Sequence, residues 1–165
     1  MVPDPTGNAP EITFSGYYSW KNLYATLTKW YTEQELEIFE TVFKDKTSGS
    51  GFTERELEWE GSKEVDRMNK FYMKVAIKIW DSQVVEVTEN GTTKKMDRGR
   101  LRVRITAEIE DDWQGLFSGS NFKQTMGNLY RRLIKWDWGF NEWDYWMNKQ
   151  YELRDAIRNT LGMET

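Results

Sequence analysis

The chain has 165 residues and a net charge of −4, with nine tryptophans, no histidine and no cysteine. The missing residue types exclude the commonest proton shuttle, thiol nucleophiles and a disulfide scaffold. The negative charge argues against wholesale nonspecific binding to nucleic acid. The length is that of a single domain with its own core, and this composition serves binding better than catalysis.

The N-terminal segment predicts a flexible arm at residues 1–10, which hold all three prolines, ahead of one domain at residues 11–165. The arm has no basic region followed by an apolar run, so no signal peptide is visible. No stretch approaches the roughly 18 apolar residues of a membrane span. We therefore expect a cytoplasmic protein with no membrane span.

A short strand and a helix are the first predicted elements. Ile12 and Phe14 alternate, and Ser15–Gly16 ends the strand. Ser19 is a plausible N-cap for the helix. A stripe at helical spacing follows, and we expect it to face the core: Trp20, Leu23, Tyr24, Leu27, Trp30 and Tyr31.

Strands are predicted next because the period of the pattern changes to two. Between Leu36 and Phe43 the apolar residues fall on both faces, so this strand requires a bulge or two-sided burial. After a loop at residues 46–51, Leu57 and Trp59 alternate with glutamates, as in a half-buried strand.

Further strands are predicted up to residue 109. Asn90–Gly91 is a strong signal for a hairpin, and a second turn is expected near residues 97–99. The strands joined in this way are residues 64–80, 84–88, 92–96 and 101–109.

Two helices are predicted to end the chain. Ser120 or Asn121 caps the first, and its apolar face, expected to pack on the sheet, comprises Phe122, Met126, Leu129, Tyr130 and Leu133. The last helix, from about Asn141 to Leu161, is expected to bury Trp143, Met147, Ile157 and Leu161.

This order predicts an α+β fold with a twisted antiparallel β-meander of five to seven strands. The N-terminal helix and both C-terminal helices are expected to pack on one face of the sheet. The element order loosely resembles that of helix-grip lipid-binding domains. The wording of Trp20–Tyr24, Glu56–Trp59, and Met96 with Gly99–Val103 resembles small uncharacterised archaeal α+β proteins. That likeness covers most of residues 12–161 and implies a similar layout without an assigned activity.

An aromatic-rich C-terminal region is the first candidate site. One helix face cannot cover all of its rings, and exposed Trp and Tyr side chains are typical of contact surfaces. The alternatives are a wide core-facing helix and the stacking of sugars or bases. The predicted interface residues are Trp136, Trp138, Phe140, Trp143, Tyr145 and Trp146.

A basic sheet face is the second candidate. If two of the predicted strands pair, their outward residues form a surface that could clamp phosphates and stack unpaired bases. The alternative is a charge ladder with Glu56, Glu58 and Glu60. The residues of possible nucleic-acid contact are Arg100, Arg102, Arg104, Lys74, Lys78, Tyr72 and Trp80.

Acidic residues form the third candidate: Asp111, Asp112, Asp137, Glu142 and Asp144. Paired carboxylates beside aromatic platforms could hydrolyse glycosides or hold a hard cation. However, adjacent residues of a strand face opposite ways, and no ordered metal motif is present. The sequence therefore predicts no catalytic residues, no metal and no cofactor.

Three hypotheses of function follow. The leading one is a non-catalytic binding or assembly subunit that contacts another protein or a second copy of itself through the aromatic-rich C-terminal region. The first alternative is an RNA-binding or ribosome-associated module that uses the basic sheet face. The second is a carrier of an apolar ligand inside a helix-covered, curved sheet.

Overall fold

The computed structural model describes residues 9–49, 51–89, 91–134 and 139–163, except the side chains of Glu89, Arg131, Leu133, Ile134 and residues 139–143. The elements in chain order are β1 (Glu11–Tyr18), α1 (Trp20–Glu33), β2 (Glu37–Thr47), β3 (Thr53–Glu64), β4 (Asn69–Glu89), β5 (Thr92–Asp111), α2 (Asn121–Ile134) and α3 (Gly139–Thr160).

The five strands form one antiparallel sheet in the order β1-β5-β4-β3-β2. Hairpins join β2, β3, β4 and β5 in chain order. The first strand, β1, pairs with the free side of β5, so β1 and β2 are the two edge strands. The face that carries the buried residues of these strands, here called the inner face, is covered by α1 and α3. The predicted α+β class, with its antiparallel sheet, N-terminal helix and two C-terminal helices, is confirmed.

The strands β4 and β5 are longer than the sequence pattern indicates. The predicted turn at residues 97–99 is wrong, because β5 runs through it without interruption. The irregular backbone lies instead in the neighbouring strand β4. Its register shifts between Trp80 and Gln83, where Asp81 has a φ of 53°. Gly99 lies against this bulge, since an added Cβ would come within 3.0 Å of the Trp80 carbonyl oxygen.

The predicted strand over residues 64–80 is in fact divided by a turn between β3 and β4. The carboxylate of Asp66 closes this turn by accepting hydrogen bonds from the backbone N–H groups of Met68 at 2.5 Å and Asn69 at 2.8 Å. The bulge expected in the first part of the meander is confirmed in β2, where the register shifts between Glu40 and Val42.

The helix α1 begins at the predicted cap, where the Ser19 hydroxyl accepts a hydrogen bond from the Asn22 N–H at 3.3 Å. Its stripe buries Leu23, Leu27 and, towards the C-terminus, Trp30 and Tyr31. The predicted burial is confirmed for these four residues, whereas Trp20 is half-buried and Tyr24 is 38% exposed. The burial follows from connectivity. Since α1 joins the two edge strands, its path crosses the inner face.

The helix α3 completes the core with Met147, Leu153 and Ile157, together with Leu161 just after its end. Trp146 also packs inward, and its ring stacks on Phe71 with 4.4 Å between centroids. It is only 7% exposed. The prediction that Trp146 contributes to a contact surface is therefore wrong, because this protomer already covers its ring.

The N-terminal boundary lies slightly earlier than predicted. Pro10 is buried, and its carbonyl oxygen accepts a hydrogen bond from the Ile105 N–H at 3.0 Å. The prolines at positions 3 and 5 lie outside the described residues. The strand β1 also continues past Ser15–Gly16 to Tyr18, whose ring is buried and whose hydroxyl is 2.8 Å from that of Ser82.

Candidate interaction surfaces

The helix α2 carries the largest departure from the sequence prediction. Its stripe was expected to pack on the sheet, but Phe122 is 74% exposed, Leu129 50% and Met126 43%. Tyr130, beside them, is 38% exposed, and its ring contacts that of Phe117 with 5.6 Å between centroids. We call Phe122, Met126 and Leu129 the α2 stripe. It is an apolar surface that the described part of the protomer leaves open.

The loop before α2 explains this orientation. Asp112 has a φ of 56°, and its carboxylate accepts hydrogen bonds from the N–H groups of Leu116 at 2.6 Å and Phe117 at 3.2 Å. The ring of Phe117 then covers Gly127, where an added Cβ would lie 2.8 Å from the Phe117 Cβ. At 3.6 residues per turn, Gly127 lies about 130° from the centre of the α2 stripe. Phe117 therefore packs on the opposite side of α2 from the α2 stripe, so the stripe faces away from this loop.

The charges of α2 are all positive. It contains Lys123, Arg131 and Arg132 and no acidic residue, although the whole chain has a net charge of −4. Lys123 and Arg132 lie about 90° to either side of the stripe on the helical wheel. Neither has an ion-pair partner among the residues that the structure describes. The stripe is thus bordered by two available cations.

The predicted aromatic interface is only partly described. Trp136 and Trp138 lie outside the described residues, as do the side chains of Phe140 and Trp143. Tyr145 on α3 is 50% exposed and has Lys149 Nζ 5.1 Å from its ring centroid. It is the predicted interface residue that the structure places at the surface.

The outer face of the sheet, opposite to α1 and α3, holds the predicted basic residues. The structure brings them together, but each faces an acidic group. Glu11 on β1 pairs with Arg102 at 3.4 Å and Arg104 at 3.2 Å. Arg100 pairs with Asp81 at the bulge. Sequence reasoning missed both partners. Glu11 reaches the arginines only because β1 pairs with β5, and Asp81 reaches Arg100 only because of the bulge in β4.

The second basic row, on β4, is paired in the same way. Lys78 contacts Glu56 at 2.9 Å, which is a predicted rung of the charge ladder. Lys74 lies 3.4 Å from Glu60 and 3.1 Å from Glu108. Both lysines therefore have carboxylate partners.

The two predicted rings on this face also have partners. The hydroxyl of Tyr72 donates a hydrogen bond to Glu110 at 2.6 Å. Trp80 has Lys78 Nζ and Arg102 Cζ at 5.5 and 5.7 Å from its ring centroid. Ion pairs and cation–π contacts within the protomer thus occupy this face.

The ionisation of the ladder follows from these contacts. Hydrogen bonds from Lys78 and Lys44 lower the pKa of Glu56. Burial alone would lower the pKa of Lys74, but its hydrogen bond to Glu108 and the nearby carboxylates outweigh burial and raise it. The hydrogen bond to Glu110 raises the pKa of Tyr72 to about 12. Each shift favours the state that maintains the ladder near neutral pH.

Two shallow, open depressions lie on the outer face. One, of about 350 Å³, forms over the small side chain of Ala76 between Glu58 and Arg104. The other lies beside Trp80 and Arg100. Neither lies between the sheet and the helices, where a carrier would hold an apolar ligand.

A further surface, not predicted as a site, lies on the edge strand β2. Phe39 and Phe43 are 49% and 51% exposed. Phe39 pairs in register with Glu60, and Phe43 pairs with the buried Leu57, so they project from opposite faces of the sheet. The conflict of faces in the β2 pattern is the available signal, but from the sequence alone it indicated a bulge or two-sided burial and not exposed rings.

The predicted carboxylate candidates do not form a common site in the described structure. Asp112 builds the loop before α2, and Asp144 lies exposed on α3. Asp137 and the side chain of Glu142 lie outside the described residues. Within the described ranges, no group of three or more acidic residues is placed to hold a metal ion.

Comparison with known proteins adds no assignment, since no family model and no curated protein matches this chain. The described helices include none with the length and apolar character needed to cross a membrane.

Proposed function

We propose that this protein is a non-catalytic assembly subunit that binds a second copy of its own chain through the C-terminal region, with the α2 stripe as the main contact. The observation that carries the proposal is the exposure of that stripe. Phe122, Met126 and Leu129 lie at helical spacing on one face, and the residues that the structure describes do not cover them. Exposed apolar patches bordered by polar residues are typical of protein contact sites.

The hydrophobic effect supplies the driving force. Full burial of a side chain of the Phe, Leu or Met class contributes about 1.5–3 kcal/mol. Three such side chains are arranged on one helix and are 43–74% exposed, so a partner that covers them gains a corresponding part of this energy at one contact. Tyr145 adds an exposed ring on the neighbouring α3. Of the six aromatic positions predicted from the sequence, this proposal therefore keeps Tyr145 as the one described ring, in addition to the α2 stripe.

The outer face of the sheet gives less support to RNA binding. A phosphate there would have to displace Glu11 from Arg102 and Arg104, or Asp81 from Arg100. Specific RNA recognition also relies on freely accessible rings, whereas the Trp80 ring already has cation–π contacts with both Lys78 and Arg102. No observation favours RNA over the charge ladder.

Sedimentation velocity over a range of protein concentrations tests the proposal. The native chain is expected to self-associate in the micromolar range, and Phe122→Ser combined with Leu129→Ser should abolish association. A matched control is Val84→Ser, since Val84 on β4 is 63% exposed but distant in sequence from α2. That variant should associate like the native chain. A native chain that stays monomeric at high micromolar concentration would overturn the proposal.

A further inference from the structure

We infer that α2 of one copy lies on the outer face of β2 and β3 of the next copy, in a head-to-tail contact. This inference depends on the proposed function, because it names the surface that receives the α2 stripe. The receiving surface consists of Phe39 and Val42 on β2 with Glu37 and Glu58 beside them. We call these four residues the β2 receiving face.

The apolar part of the β2 receiving face is placed by strand register. Phe39 pairs with Glu60 and Val42 with Glu58, and these glutamates alternate with the buried Leu57 and Trp59. Directly paired residues of antiparallel strands share a face. Phe39 and Val42 therefore both project from the outer face, where Phe39 is exposed and Val42 is half-buried.

The charges of the two surfaces are complementary. Glu37 and Glu58 are exposed, and neither has an ion-pair partner among the described residues. On the helix, Lys123 and Arg132 border the stripe, and they too are exposed and have no ion-pair partner among the described residues. A head-to-tail contact would bring these opposite charges together, whereas two α2 helices packed on each other would bring cations together. Such complementarity promotes encounter and disfavours the wrong partner.

A head-to-tail contact has a consequence that a symmetric contact lacks. Each copy retains one unused α2 stripe and one unused β2 receiving face, so association continues into a ring or an open chain. Two variants that each lose a different half cannot associate alone, but they can form one contact when mixed. A symmetric α2–α2 contact does not allow such rescue.

The test therefore mixes two variants. The first carries Phe122→Ser and Leu129→Ser, and the second carries Phe39→Ser and Glu58→Lys. Each alone is expected to be monomeric in sedimentation velocity, and the mixture should form a one-to-one dimer that grows no further. Phe43→Ser is the matched control, because Phe43 has the same exposure on the opposite face of β2. Circular dichroism and urea unfolding establish that each variant is folded.

The outcomes separate the two proposals. If the α2 variant is monomeric while the Phe39 variant associates normally, or if the mixture gives no dimer, the head-to-tail contact is wrong and the proposed function stands. If the native chain does not associate, both are wrong. If it stays monomeric yet binds vesicles of anionic phospholipid through α2, the stripe serves a lipid surface, and both are overturned.

Discussion

The helices α1 and α2 are both 14 residues long and both amphipathic, yet their apolar faces have opposite surroundings. Leu27 of α1 has no exposed surface, whereas Leu129 of α2 is half exposed. The difference comes from connectivity. The helix α1 joins the two edge strands and has to cross the sheet, while α2 follows the last strand and α3 covers the inner face. An amphipathic pattern therefore predicts that a face can be covered, without saying by what.

The largest expected effect separates the two helices directly. Leu27→Ala should lower the free energy of unfolding by about 3 kcal/mol, because it leaves a cavity in the core. Leu129→Ala should change it by less than about 0.5 kcal/mol, since little packing is lost at an exposed site. Urea unfolding at low protein concentration measures both. Equal losses would mean that α2 packs on the body as α1 does.

The next effect tests how closely α1 fits the sheet. Gly61→Ala should cost about 2 kcal/mol through overpacking, because the added Cβ would lie 2.4 Å from Tyr31 Cε1. The Tyr31 ring is held in place, since its hydroxyl donates a hydrogen bond to the Met73 carbonyl oxygen at 3.1 Å. Gly49→Ala is the control, because an added Cβ there meets nothing within 4 Å. A neutral Gly61→Ala would show that the Tyr31 ring can move.

A smaller effect compares the caps of the two helices. The hydroxyls of Ser19 and Ser120 accept hydrogen bonds from the Asn22 and Lys123 N–H groups, both at 3.3 Å. Loss of either cap should cost its helix about 1 kcal/mol. Ser19→Ala should reduce global stability, whereas Ser120→Ala should mainly increase amide hydrogen exchange within α2. If both variants lowered the global free energy of unfolding equally, α2 would not unfold separately from the rest of the domain.

The smallest effect concerns the outer face, which is covered by its own polar contacts. The Glu110 hydrogen bond raises the pKa of Tyr72 from 10.0 to about 12, so the fold stabilises the protonated phenol. This stabilisation is complete below pH 10 and is lost as the pH rises from 10 to about 12. Over that window, unfolding free energy should fall more steeply in the native chain than in Tyr72→Phe. Identical slopes would show that the hydrogen bond to Glu110 is not maintained in solution.

Much of the fold could be predicted because it depends on local patterns. The alternation of Val103 and Ile105 with arginines located β5, and Ser19 before a helical stripe located α1. The pattern could not show that β4 passes through Asp81 as one strand, because a bulge and a turn have the same local composition. For the same reason, the turn predicted near Gly99 was wrong.

The candidate site was less predictable, because exposure depends on neighbours distant in sequence. Trp146 was assigned to a surface but stacks on Phe71, and Phe122 was assigned to the core but is exposed. The arginines of β5 were correctly placed on one face, whereas their partner Glu11 appears only once β1 pairs with β5. Each error concerns which residues pack against a side chain. The periodicity of the sequence does not give this information.

The sequence by itself determined the order of helices and strands and the α+β class, since these follow from backbone preferences and the spacing of apolar residues, but it did not determine the bounds of β4 and β5. Tertiary structure alone decided which apolar faces the protomer covers and which charges find partners. The physical reason is that burial and ion pairing depend on distances between segments far apart in the chain. These distances are set by the pairing of β1 with β5 and by the path of the helices over the sheet.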